Sequence, residues 1–282
     1  MARFTAPDGL NLHYIDSLDA PGAHDGPAIL CLAGLTRNSE DFRFVLPFLP
    51  EYRVIRMDYR GRGQSDWAHD ITTYSVAQEA EDAIALMDHL GLERATILGT
   101  SRGGLIAMLL AATHPQRLNG AILNDIGPEI APGGLERIFE YVGQRPTFAN
   151  YDAAADALVA LMAPRFAGVT RDRWRIHAEL IWNQASDGLD LRYDPRLRDA
   201  LLGQAGAGPA PDLWALWDAL AQLPVTVLQG ANSDLLNAEI LARMQARAPD
   251  MRAVTVPDRG HVPFLDERAA LEGILSHLKD FA

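Results

Sequence analysis

The segment Ala95-Thr96-Ile97-Leu98-Gly99-Thr100-Ser101-Arg102-Gly103, followed by Leu105-Ile106-Ala107-Met108-Leu109-Leu110, constrains this chain more than any other. An apolar, β-branched run gives way within a few residues to an apolar run of helical character, so a strand must turn at once into a helix. Gly99 and Gly103 flank the serine in the pattern GxSxG. Small residues there let the backbone pass closely while the Ser101 hydroxyl projects outward. A helix starting at this corner also turns its unpaired N–H groups and positive dipole end toward the place where an oxyanion would form. Ser101 is therefore the candidate nucleophile.

Around this corner the first half of the chain alternates short apolar runs with amphipathic stretches. Residues 10–16, 27–33, 52–58, 94–98 and 120–125 are the expected strands. Helices are expected at about 38–49, 73–90 and 102–113, the second with Val76, Ala80, Ala83, Ile84, Met87 and Leu90 at helical spacing. This alternation predicts an α/β fold with a mostly parallel central sheet flanked by helices. From about 131 to 212 the strand pattern stops and the composition turns to Ala, Arg and aromatic residues, which reads as an inserted helical cap. Strands resume at 225–228 and 253–256. The organisation is then a core of residues 1–130 and 213–282 interrupted by a cap at 131–212, with Ala205–Ala210 as a flexible connection.

At 48% apolar residues over 282, the chain has ample material for a large core. It contains no apolar run of about 18 residues and no apolar stretch at its N-terminus, so a soluble, cytoplasmic protein without membrane partners is the expectation. A net charge of −12 argues against nucleic acid, whose binding relies on clustered cations. Cys31, the single cysteine, lies in an apolar run and reads as a core thiol. No paired His/Cys spacing suggests a metal, and no cofactor is implied.

A serine hydroxyl needs a base. Of eight histidines, His261 lies in the loop Asp258-Arg259-Gly260-His261-Val262-Pro263-Phe264, between the last strand pattern and the final helix, where a side chain can hang over the sheet edge. The other seven sit on strands, on helices or in surface positions. For the acid that orients the imidazole, Asp234 follows the strand at 225–228, and the order Ser101, Asp234, His261 is one known for such triads. Asp125, at the end of the strand 120–125, is the alternative acid.

With these residues in place, the chain resembles the α/β-hydrolase superfamily over nearly its whole length. Leu32-Ala33-Gly34-Leu35-Thr36-Arg37-Asn38 is similar to the superfamily's oxyanion loop, with Ala33 where a histidine is common. Asp58-Tyr59-Arg60-Gly61-Arg62-Gly63-Gln64-Ser65 resembles its DxRGxGxS turn. The Ser101 corner and the Gly260-His261 loop complete the likeness. The resemblance implies oxyanion donors at the backbone N–H groups of Leu35 and Arg102, and a lid at 131–212.

Arg102, beside the nucleophile, admits two readings. It attracts a substrate carboxylate or reinforces the oxyanion site, or else it is neutralised by an internal carboxylate such as Asp125 or Glu129, and the internal pair is the expectation. The aromatic residues Phe139, Tyr141, Phe148, Tyr151, Phe166, Trp174, Trp182, Trp214 and Trp217 suggest an apolar inner lid face. The chemistry expected is hydrolysis of a small, largely apolar ester or lactone through an acyl-enzyme on Ser101. Hydrolysis of a carbon–carbon bond in a β-diketone-like compound, and a ligand receptor without turnover, are the alternatives the resemblance leaves open.

Overall fold

The computed structural model describes residues 2–20, 24–206 and 212–281. Part of the expected flexible connection, residues 207–210, lies outside them. The main sheet has eight strands: β1 (Ala2–Thr5), β2 (Asn11–Asp16), β3 (Ala28–Leu32), β4 (Arg53–Met57), β5 (Ala95–Thr100), β6 (Leu118–Asn124), β9 (Val225–Gly230) and β10 (Arg252–Val256). Their spatial order is β1-β2-β4-β3-β5-β6-β9-β10. The pairs β1/β2 and β2/β4 are antiparallel, and every pair from β4 to β10 is parallel. This is the α/β architecture expected, with β1 as an added edge strand.

Because side chains alternate along a strand, each central strand feeds two cores. Leu30, Leu32, Ile97, Leu123 and Val227 pack against α1 (Val76–His89), α2 (Arg102–Thr113), α7 (Trp214–Leu220) and α8 (Ala238–Arg247). Ile29, Cys31, Leu98, Ile122 and Leu228 face the opposite side, where Phe42, Val45 and α9 (Arg268–Phe281) cover them. Burial pushes the Cys31 thiol up to about 12, consistent with a core residue.

Between β6 and β9 the chain forms α3 (Gly134–Tyr141), α4 (Tyr151–Met162), α5 (Arg171–Ile181) and α6 (Leu197–Gly206), with an antiparallel hairpin of β7 (Trp182–Ala185) and β8 (Gly188–Leu191). The hairpin corrects the expectation of a purely helical segment. Its signal was present in Ser186-Asp187-Gly188, where Ser186 and Asp187 make the two-residue turn and Gly188 opens β8 at φ 135°. The helix expected at 38–49 is instead two 3₁₀ turns, Ser39–Phe42 and Leu46–Phe48. Pro47 has no N–H to give to an α-helical carbonyl, and Asn38 caps the first turn through the N–H of Glu40 at 3.0 Å. No helix among the described residues is long and apolar enough to cross a membrane.

Candidate active site

The central strands β5, β6 and β9 lie side by side and end at one edge of the sheet, and the loop after β10 reaches over them. At the end of β5 the corner is as tight as the sequence suggests. A Cβ on Gly103 would lie 2.0 Å from the carbonyl oxygen of Leu32, and one on Gly99 would lie 2.6 Å from the backbone of Gly103. Ser101 itself adopts φ 49° and ψ −111°, a conformation that costs about 1–3 kcal/mol and is held by its surroundings. Its N–H donates to the carbonyl of Asn124 on β6 at 3.0 Å.

Ser101 Oγ is 3.1 Å from Nε2 of His261, within reach for proton transfer. On the other side of the ring, Nδ1 is 2.8 Å from Oδ2 of Asp125. Asp125 is fully buried and also leaves its strand with positive φ, at 59°. Its carboxylate accepts two further hydrogen bonds, at 2.7 Å from the N–H of Gly230 at the end of β9 and 2.6 Å from the hydroxyl of Ser233 in the loop that follows. Together with the imidazole Nδ1, these donors fix the place of the carboxylate beside the histidine.

The expectation that Asp234 stands beside His261 is corrected. Asp234 lies four residues past the end of β9, where its carboxylate pairs with two arginines, Arg137 on α3 at 2.8 Å and Arg165 after α4. Asp125 follows directly on the last residue of β6, between the nucleophile strand and β9, so no loop has to bring it to the imidazole. It satisfies the order nucleophile, acid, base as well as Asp234 does, so order alone could not separate the two.

Arg102 is buried and internally neutralised, as expected, but by a different carboxylate. Its Nε donates to Glu79 Oε2 and its Nη2 to the carbonyl of Tyr74 at 3.2 Å. Asp125 belongs to His261, and Glu129 pairs with Arg243. The Leu32–Asn38 loop lies against the nucleophile, where a Cβ on Gly34 would come 3.9 Å from that of Ser101. Among the described residues no protein acceptor is placed on the N–H of Leu35 or of Arg102.

Ser101 and His261 open into a cavity of about 830 Å³. One wall is aromatic, with Phe44, Phe166, Trp174 and Phe264 in mutual contact. Of the nine aromatic residues singled out between 139 and 217, Tyr141, Phe148, Phe166, Trp174 and Trp182 line the cavity, whereas Trp217 is fully buried against α2. The rest of the lining is more polar than expected: Arg37, Arg137, Arg145 and Arg165 belong to it with Asp41, Glu140 and Asp234. His177 also faces the cavity, and burial together with Arg37 and Arg173 pushes its pKa well below 6.5, so it stands there as a neutral imidazole.

Sequence reasoning missed two positions at this edge. Asn124 Nδ2 reaches both Thr100 Oγ1 at 3.2 Å and the carbonyl of Pro263 at 3.1 Å, tying the histidine loop to the nucleophile strand. Glu79, which the helical pattern did not single out, is fully buried. An acid interleaved with Val76, Ala80 and Ala83 on one helix was the available signal.

The chain belongs to the α/β hydrolase fold family, whose profile matches residues 27–268. It is similar to the 3-hydroxybutyrate-oligomer hydrolase of Cupriavidus necator, at 38% identity with 84% of each chain covered. It is similar also to the 2-(acetamidomethylene)succinate hydrolase of Mesorhizobium japonicum, at 27% identity with 84% of this chain and 82% of that one covered. Among solved structures, an α/β hydrolase from Novosphingobium aromaticivorans superposes with a TM-score of 0.89 at 40% identity, covering 99% of this chain and 97% of that one. The chain is accordingly a hydrolase of this family.

Proposed function

We propose that the chain hydrolyses small esters of hydroxy acids by acyl transfer to Ser101, with His261 as the base and Asp125 as the acid that orients it. The observation carrying this reading is the unbroken relay from Ser101 Oγ through the imidazole to the buried Asp125, opening into a cavity of about 830 Å³. His261 takes the Ser101 proton as Oγ attacks the carbonyl carbon, and Asp125 stabilises the imidazolium that forms. The backbone N–H groups of Leu35 and Arg102 receive the negative charge on the carbonyl oxygen. His261 then protonates the leaving alcohol, and the same imidazole activates the water that frees Ser101. Residues of the 131–212 segment act as the lid, since α3, the α4–α5 region and the hairpin supply much of the cavity wall.

The substrate class draws on two supports. A relative sharing 38% identity is named for 3-hydroxybutyrate oligomers, which are esters ending in a carboxylate. In a chain of net charge −12, the cavity wall holds four arginines against three carboxylates. Arg37 is paired with Asp41 and Arg145 with Asp187 and Asp190, whereas Arg137 and Arg165 share the single carboxylate of Asp234. A substrate carboxylate lying there meets guanidinium donors suited to it, while its alkyl portion lies along the aromatic wall.

The test is turnover of 3-hydroxybutyrate dimer and trimer, as free acids and as methyl esters, beside p-nitrophenyl butyrate, a γ-lactone and a β-diketone, for wild type and Ser101→Ala. The reading predicts ester turnover that Ser101→Ala abolishes, with a lower KM for free acids than for methyl esters. Diketone cleavage without ester turnover would move the assignment to carbon–carbon hydrolysis. Stoichiometric fluorophosphonate labelling without multiple turnovers would make the chain a receptor.

A further inference from the structure

The DxRGxGxS turn and Arg102, two sequence features that the relay does not use, meet in one buried cluster. Arg62, from the turn, is 1% exposed, Glu79 on α1 is 0% exposed and Arg102 at the start of α2 is 7% exposed. The single Glu79 carboxylate serves both arginines. Its Oε1 is 2.9 Å from Arg62 Nη1, and its Oε2 accepts from Arg102 Nε. Two buried cations share one anion, an arrangement that general experience does not credit with much net stability.

Its other contacts all reach the Leu32–Asn38 loop or the elements that hold it. Arg62 Nε donates to the carbonyl of Leu35 at 3.0 Å. Arg62 Nη1 donates to the carbonyl of Arg60 at 2.7 Å, and the guanidinium lies over the ring of Tyr74, whose own carbonyl accepts from Arg102. Three consecutive carbonyls of the loop are fixed in this way. That of Ala33 accepts from the Tyr59 hydroxyl at 3.0 Å and the Gly103 N–H at 3.1 Å, that of Gly34 from the Arg37 N–H at 3.1 Å, and that of Leu35 from Arg62. In a trans peptide the N–H of one residue points opposite the carbonyl before it. Fixing the Gly34 carbonyl therefore fixes the direction of the Leu35 N–H, and Arg62, by holding the carbonyl on the other side of the Leu35 Cα, anchors the residue that carries it.

We infer that Arg62, Glu79 and Arg102 form a buried bridge that sets the Leu35 and Arg102 main-chain donors at one distance and angle for the oxyanion. Arg62, Glu79 and Tyr59 are then positioning residues, acting through the loop without touching substrate. The inference rests on the acyl-transfer reading above. The internal pairing expected of the Arg102 side chain thereby gains a positional role, with its charge spent on the bridge while its N–H serves the oxyanion.

The experiment compares Arg62→Met, Glu79→Gln and Tyr59→Phe with wild type for kcat and KM on p-nitrophenyl butyrate, and for inhibition by an alkyl trifluoromethyl ketone. That ketone adds Ser101 Oγ to its carbonyl and places an oxyanion in the site, with the hydroxyl proton passing to His261. Deleting one oxyanion donor costs about 100- to 1000-fold, so a misplaced donor should cost about 10- to 100-fold in kcat. KM is expected to stay within about threefold, and the ketone Ki to rise by the same factor as kcat falls. Tyr59→Phe removes one oxygen and keeps the ring in place. It is expected to fold even if the charge variants do not, and to show the same parallel on a smaller scale.

Folded variants with unchanged kcat and unchanged ketone affinity would overturn the bridge. So would a loss of kcat without a matching loss of ketone affinity. Failure of the underlying reading looks different, since wild type itself would then neither bind the ketone nor depend on Ser101.

Discussion

Asp125 Oδ2 lies 2.8 Å from His261 Nδ1, and the two residues are joined across 136 positions of sequence by nothing but the order of strands in the sheet. Three donors on one buried carboxylate, from His261, Gly230 and Ser233, define where the imidazole stands. The second acid, Asp234, is held instead by Arg137 and Arg165 on the cavity wall.

That wall makes a prediction about selectivity. Arg137→Ala and Arg165→Ala should raise KM for the free acid of a hydroxybutyrate dimer by about tenfold each, the scale of a partly solvated charge-assisted hydrogen bond. The methyl ester should change little. Steady-state kinetics on the acid and ester pair measures the difference, and equal effects on both would remove the carboxylate from that wall.

The corner at Ser101 predicts a loss of stability that leaves no room for repacking. In Gly103→Ala the new methyl would lie 2.0 Å from the Leu32 carbonyl, a backbone atom that cannot swing aside. The variant should lose several degrees of Tm or fail to fold, read by thermal unfolding, whereas Gly203→Ala, with nothing within 4 Å and an ordinary helical position, should keep its Tm within a degree or two or gain slightly.

His277 predicts part of the acid sensitivity. It is fully buried on α9 beside Thr226 Oγ1 at 3.0 Å, and burial, with Arg252 nearby, lowers its pKa from 6.5 to about 4. The unfolded chain therefore binds a proton that the folded chain refuses between those values. This contribution to stability is complete above about pH 6.5 and is lost as pH falls through about 4. Denaturant unfolding at pH 7.5 and pH 4.5 should show a smaller drop for His277→Gln than for wild type, and an identical drop would remove His277 from the account.

Much of this was legible in the sequence, and the particular failures have physical causes. The parallel strands, the GxSxG corner and His261 were readable because each depends on local periodicity and on small residues at one bend. The 182–191 hairpin and the 3₁₀ turns at 39–48 were missed where the Ser186-Asp187-Gly188 turn and Pro47 overrode composition. Choosing between Asp125 and Asp234 required knowing how far each loop travels after its strand ends, which sequence order does not encode. Glu79 and Asp82 lie fully buried on α1 because Arg60, Arg62 and Arg102 neutralise them from other elements, and such partners are invisible to a helical pattern.

The central claim is that Asp125 orients the imidazole that activates Ser101. Its most direct test is kcat/KM of Asp125→Asn and Asp234→Asn on p-nitrophenyl butyrate, a substrate without a carboxylate. Asp125→Asn should lose about 10⁴-fold, as expected when a triad acid no longer fixes the imidazole tautomer, and Asp234→Asn should stay within about tenfold of wild type. Near-full activity in folded Asp125→Asn, with the large loss in Asp234→Asn, would contradict it.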